Sequence, residues 1–67
     1  MTNIRTITFF DLESRGETVA IVRAHRNSVA LCLSARKNGD VEVLLSPDDA
    51  DQLVKALQQA LLTAREK

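Results

Sequence analysis

Residues 29–57, VALCLSARKNGDVEVLLSPDDADQLVKAL, contain the features that decide the fold of this 67-residue chain. Two runs rich in Val and Leu, 29–36 and 41–45, flank the pair Asn38-Gly39. Asn-Gly between such runs favours a type I′ hairpin turn, because both central residues of that turn need a positive φ. The stretch therefore predicts two antiparallel strands that lead directly into a helix.

The helix is predicted over residues 47–64. Ser46 suits the N-cap and Pro47 the first helical position, while Asp48 and Asp49 suit the positive end of the helix dipole. Apolar residues then recur at helical spacing: Ala50, Leu53, Val54, Leu57, Leu61 and Ala64. The pattern predicts an amphipathic helix with one apolar stripe.

Two further strands are predicted before this stretch, at 3–12 and 18–25, separated by the polar segment ESRGE at 13–17. Both runs are rich in the β-branched residues that suit a pleated sheet. The order β-β-β-β-α predicts an α+β fold: a four-stranded antiparallel meander with one C-terminal helix packed on one face. The chain is short enough that residues 1–67 are expected to form a single domain.

The composition excludes several classes of protein. One Cys excludes an internal disulfide framework, and one Cys with one His cannot complete a four-ligand zinc site. The longest apolar run, 29–33, is far shorter than a membrane span. The N-terminus lacks the pattern of a signal peptide. These features predict a cytoplasmic protein that contacts no membrane.

No set of residues predicts catalysis. Cys32 lies between two Leu residues, which favours a packing thiol, and His25 lies beside Arg23 and Arg26 at the end of a strand, which favours a surface position. The carboxylates around Asp49 are explained by the start of the helix. We therefore expect no enzyme activity, no cofactor and no metal.

The alternation of residues along the strands predicts which side chains share a face. We take Asn38-Gly39 as a two-residue turn and 26–28 as a three-residue turn. The bulky face, expected to take the helix, then holds Val19, Ile21, Val29, Leu31, Leu33 and Leu44. The other face is small and largely apolar and holds Ala20, Val22, Ala24, Ala30, Cys32, Ser34, Val41 and Val43.

This second face is predicted to be covered by another copy of the chain or by a protein partner. A solvated antiparallel face normally alternates to clearly polar residues, and this one does not. A chain of this size without disulfides or a metal also needs further burial, which favours a homo-oligomer and first of all a homodimer. The alternative is that the N-terminal strand or its loop folds over this face.

Charge is distributed unevenly along the chain although its formal sum is zero. Residues 1–37 hold six cations and three carboxylates, or +3, and residues 38–67 hold three cations and six carboxylates, or −3. Such polarity suits contact with phosphates, head-to-tail contact between copies, or simple solvation. The candidate residues for nucleic-acid binding are Arg5, Phe10, Arg23, Arg26, Arg36 and Lys37.

The predicted elements run from the aromatic strand Thr8-Phe9-Phe10-Asp11-Leu12 through basic strands to a helix capped by Leu45-Ser46. In this element order the chain resembles the units of PUR-repeat and Whirly-type single-stranded nucleic-acid-binding proteins. It implies paired units that bind single strands on the sheet. Stacking needs an exposed aromatic side chain. Phe9 and Phe10 are adjacent and point to opposite faces, so we expect one of them exposed and the other in the core.

Two functions follow from these observations. The preferred one is a small, non-catalytic, homo-oligomeric binding or regulatory domain that acts through protein–protein contacts on the open sheet face. The alternative is a protein that binds single-stranded DNA or RNA through the basic strand half.

Overall fold

A four-stranded sheet and one helix make up the computed structural model, which describes residues 2–37 and 39–66. The strands are β1 (Thr2–Phe10), β2 (Glu17–His25), β3 (Ser28–Ala35) and β4 (Gly39–Leu45), and the helix is α1 (Pro47–Arg65). Each strand pairs antiparallel with the next one along the chain. The predicted α+β meander with a C-terminal helix is confirmed.

The helix begins as its sequence predicts. The Ser46 hydroxyl accepts a hydrogen bond from the Asp49 backbone N–H at 3.1 Å, Pro47 opens the first turn, and Asp48 and Asp49 lie in it. At the other end, the Glu66 backbone N–H donates to the Thr63 carbonyl at 3.2 Å. The cap and the dipole therefore act together to fix the point where β4 ends and α1 starts.

β1 is two residues shorter at its C-terminal end than predicted, because Asp11 organises a tight loop. Its carboxylate accepts hydrogen bonds from the Ser14 hydroxyl at 2.8 Å and the Glu13 backbone N–H at 3.1 Å. The Asp11 backbone N–H donates to the Gly16 carbonyl at 2.9 Å, and Arg15 adopts a φ of 61°. An Asp side chain that satisfies the backbone locally competes with strand pairing.

The lengths of the two later turns differ from the prediction. His25 pairs with Ser28, so the β2–β3 turn has two residues instead of three, and Asn27 takes a φ of 59°. Ala35 pairs with Gly39, so three residues instead of two lie between β3 and β4. Gly39, the first residue of β4, has a φ of 87°, a conformation that glycine adopts without steric cost. The predicted Asn38-Gly39 turn includes Asn38, which lies outside the described residues.

The two changed turn lengths place the side chains of β3 on the other face from the one predicted, relative to β2 and β4. Side chains alternate between faces along a strand, and each observed register differs from the predicted one by an odd number of residues. The predicted partner face is therefore wrong as a single surface. Its members divide between the two faces: Ala20, Val22, Ala24, Val41 and Val43 lie on one, and Ala30, Cys32 and Ser34 lie on the other. The residues of the predicted bulky face are divided in the same way: Val29, Leu31 and Leu33 lie on the first of these faces, and Val19, Ile21 and Leu44 lie on the other.

We call the two surfaces the helix-bearing face and the opposite face. The helix-bearing face holds Arg5, Ile7, Phe9, Ala20, Val22, Ala24, Val29, Leu31, Leu33, Val41, Val43 and Leu45. The opposite face holds Thr6, Thr8, Phe10, Val19, Ile21, Arg23, Ala30, Cys32, Ser34, Glu42 and Leu44. The helix thus packs on the face that carries Val22 and Val43 and not, as predicted, on the face that carries Ile21 and Leu44.

Little of the apolar content is buried within one chain. Among the described residues, Ala30 is the one fully buried apolar side chain, at 1% exposure. α1 contains no buried residue, and the strands whose backbone it approaches, in this part of the chain, are β3 and β4. The four strands are therefore paired with their neighbours, but the helix of the same chain covers only part of the sheet.

Candidate interaction surface on the helix-bearing face

The first half of α1 lies over one end of the helix-bearing face and leaves an apolar groove. The groove has a volume of about 160 Å³. Its walls are apolar side chains from the sheet and the helix: Val22, Val29, Leu31, Leu45, Ala50, Leu53, Val54 and Leu57. Side chains that line an apolar groove of this kind lack packing partners on the open side and have no polar groups there that could form hydrogen bonds.

The rest of this face and the rest of the helix stripe are open. On the sheet, Ile7, Phe9 and Val41 are roughly half-exposed, and on the helix Leu61 is too. Monomeric soluble proteins rarely leave apolar patches of this extent in water. These side chains form an apolar surface that, among the described residues, the chain itself leaves uncovered.

The surface area of the chain measures how incomplete its burial is. A folded monomer of 7.4 kDa should expose about 4,200 Å². The single chain exposes 5684 Å², an excess of roughly 1,500 Å² over the area expected from its mass. Its radius of gyration is 13.2 Å, whereas a compact chain of this length should have about 11 Å.

The opposite face carries more polar side chains than the helix-bearing face. The Arg23 guanidinium and the Glu42 carboxylate are 3.4 Å apart, and the Ser34 hydroxyl donates to Asp40 at 2.7 Å. Cys32 is half-buried in the middle of this face, directly across from Glu42. Ala30 pairs with Arg23 on one side and Leu44 on the other. Cross-strand polar pairs of this kind are typical of a face in water.

The six candidate residues for nucleic-acid binding do not lie together. Arg5 pairs with Val22 on the helix-bearing face, Arg23 is on the opposite face, and Arg26 is in the β2–β3 turn at one end of the sheet. The other three lie at the far end of the sheet: Phe10, Arg36 and Lys37.

Those three residues line a shallow concavity of about 390 Å³ together with Arg15, Gly16 and Glu17. The Lys37 ammonium donates to the Ser14 carbonyl at 3.0 Å, and the Arg36 backbone N–H donates to the Glu17 carbonyl at 3.1 Å, so the β1–β2 loop and the β3–β4 turn are held together. Sequence reasoning missed Arg15. In a meander, the β1–β2 loop and the β3–β4 turn lie at the same end of the sheet. This property of the predicted topology could have placed Arg15 beside Arg36 and Lys37.

The electrostatics of this end are mixed. Arg15, Arg36 and Lys37 share it with Asp11, Glu13 and Glu17. The hydrogen bond from the Ser14 hydroxyl, followed by the one from the Glu13 backbone N–H, lowers the pKa of Asp11.

Both Phe residues are exposed in the single chain, contrary to the expectation that one would be in the core. Phe10 is 66% exposed on the opposite face, and Phe9 is 42% exposed on the helix-bearing face. The alternation was predicted correctly. Phe9 lacks a cover because α1 does not reach its end of the sheet.

Neither a search for metal-binding clusters and membrane-spanning helices among the described residues nor a comparison with known proteins points to a further site. In the described segments, no three His, Cys, Asp or Glu side chains come together in the manner of a metal site. No helix within 2–37 and 39–66 combines the length and the apolar character needed to cross a membrane. The chain matches no protein-family model, and no similar curated protein or solved structure was found for it.

Proposed function

We propose that this protein is a cytoplasmic, non-catalytic binding or regulatory domain that works as a homodimer, with the two helix-bearing faces buried against each other. The observation that carries the proposal is the surface excess of roughly 1,500 Å² per chain. Two such chains would bury about 3,000 Å² in total, which lies within the range of obligate homodimers.

The radius of gyration supports the same proposal. A compact body of two such chains should have a radius of gyration of about 14 Å, and one chain alone already has 13.2 Å. The radius of gyration of one chain is thus close to that expected for a compact dimer, which supports the proposal that a second copy fills the space the single chain leaves open. The apolar character of the helix-bearing face indicates which side the second copy covers.

The proposal is tested by sedimentation velocity on the whole chain and two matched variants. Val41 and Leu44 are both on β4 and are 55% and 66% exposed, but they lie on different faces. We expect the native chain and Leu44→Glu to sediment as dimers and Val41→Glu to lose the dimer. A carboxylate buried in an apolar interface without a partner is strongly unfavourable. A native chain that sediments as a monomer at micromolar concentration would contradict the proposal.

A second candidate function is binding of single-stranded nucleic acid at the loop end of the sheet. The specific observation in its favour is that exposed Phe10 lies beside Arg15, Arg36 and Lys37 around one concavity. An aromatic ring with flanking cations suits a stacked base and its phosphates. The neighbouring carboxylates oppose it, which is why we place it second.

This candidate is tested by fluorescence anisotropy with labelled single-stranded DNA and RNA at two salt concentrations. Binding should weaken as salt rises, because phosphate contacts release counterions. Phe10→Ala and Arg36→Ala should each weaken it, whereas Arg26→Ala, at the other end of the sheet, should not. Absence of binding at tens of micromolar protein would exclude this function.

A further inference from the structure

We propose that the second half of α1 packs on the helix-bearing face of the partner copy, so that each chain completes the apolar layer of the other. This inference rests on the homodimer proposed above and names the segment that covers each face. It is drawn from three features of the described residues: the position of the helix on its own sheet, the length of its apolar stripe, and the part of the sheet that stays open.

The helix covers only the end of the sheet from which it starts. It follows Leu45 directly, and the groove beneath it extends along the sheet as far as Val22 and Leu31. The next row of paired residues across the sheet contains Leu33 and Val41, and neither side chain lines the groove. The far part of the face is therefore outside the reach of the helix of the same chain.

The apolar stripe of α1 continues past this contact. Leu57 is the last helix residue that lines the groove, and Leu61 and Ala64 follow it on the same side of the helix. A helix of this length spans about 28 Å. Leu61 therefore lies beyond the groove, and Leu57, at the edge of the groove, is still 62% exposed.

The open stripe and the open part of the sheet are complementary in character. The sheet offers large apolar side chains without an ionic pair among them: Ile7, Phe9, Leu33 and Val41. On the helix, the Lys55–Asp51 ion pair lies off the stripe and stays in water. Twofold symmetry makes any contact of helix with partner sheet occur twice, so one arrangement covers all four open surfaces of the pair.

Disulfide trapping between two different variants tests this arrangement. Both variants carry Cys32→Ala, which removes the native thiol of the chain. One carries Val41→Cys, and the other carries Leu61→Cys and an additional mass tag. After the two are mixed, refolded together and mildly oxidised, we expect the mixed disulfide dimer to be the main crosslinked product. Leu44→Cys in place of Val41→Cys is the control and should give no mixed product.

The alternatives give different products. A disulfide dimer of Leu61→Cys with itself, without mixed product, would show that the two helices pack on each other and would overturn the inference. Crosslinking within one chain that carries both Val41→Cys and Leu61→Cys would overturn it as well. Dimeric variants with no mixed product would refute the helix placement alone. Monomeric native chain in sedimentation would instead refute the dimer and the helix placement together.

Discussion

The Ser46 hydroxyl marks the junction between sheet and helix. It accepts the Asp49 backbone N–H at 3.1 Å, and this bond satisfies one of the amides that the first helical turn leaves unpaired. The position of α1 over the sheet depends on this junction, because β4 ends one residue earlier.

We predict that Ser46→Ala lowers the free energy of unfolding by about 1 kcal/mol, which is typical for loss of an N-cap. Urea unfolding followed by circular dichroism measures it, at one fixed protein concentration, because the proposed dimerisation would contribute to stability. Ser46→Asp keeps a capping oxygen and should remain close to the native chain. Equal stability of Ser46→Ala and the native chain would show that the cap contributes nothing.

Asp11 makes the β1–β2 loop sensitive to acid. Its pKa lies below the ordinary value, first because of the Ser14 hydroxyl and then because of the Glu13 backbone N–H. A carboxyl group whose pKa is lowered by folding stabilises the folded state above the pKa of the unfolded chain, near pH 4. That contribution is lost as the pH falls through the folded value.

We expect Ser14→Ala to raise the pKa of Asp11 toward its ordinary value, since it removes the largest cause of the shift. An NMR titration of the Asp11 carboxyl carbon measures this. Glu13→Gln is the control: it keeps the backbone N–H donor, so Asp11 should stay below its ordinary pKa. An unchanged pKa in Ser14→Ala would show that the hydroxyl bond is absent in solution.

At the scale of elements, α1 has an apolar stripe, which we propose packs on the partner copy, and another side that faces water. Leu61 lies on the stripe. Leu62 follows it, turned by about 100° around the helix axis, and is the more exposed of the two at 69% against 49%. Two adjacent leucines therefore have different expected roles in the proposed dimer.

We predict that Leu61→Glu dissociates the dimer and that Leu62→Glu does not. Both variants add the same charge at neighbouring positions of one helix, so helix propensity and net charge are matched. Sedimentation velocity and circular dichroism on both variants measure the outcome. Equal loss of the dimer in the two variants would indicate that the helix contributes through its charge or stability and not through its stripe.

At the scale of the whole molecule, the apolar face of the sheet is only partly covered by the helix of the same chain. If folding and pairing are coupled, the thermal midpoint depends on protein concentration by mass action. We expect the midpoint to rise by several degrees for each tenfold increase in chain concentration, both for the native chain and for Leu44→Glu. Differential scanning calorimetry over a hundredfold range measures it. A midpoint that stays constant over that range would contradict coupled folding and pairing.

The amino-acid sequence by itself determined the element order, the helix start at Ser46 and Pro47, and the deficit of burial in so short a chain. These features depend on local propensity, capping and composition, which are properties of neighbouring residues. The concavity at the loop end of the sheet was only partly predictable. Phe10, Arg36 and Lys37 were predicted as candidate binding residues because they are aromatic or basic, but Arg15 was not.

Only the tertiary structure decided which side chains share a face. The β2–β3 turn has two residues and the β3–β4 connection has three, and both lengths differ from the expected ones. Because side chains alternate along a strand, an odd shift in register moves every residue of a strand to the other face. Ala30, Cys32 and Ser34 therefore do not lie on the predicted partner face, and Leu31 and Leu33 lie with Val22 and Val41 on the helix-bearing face.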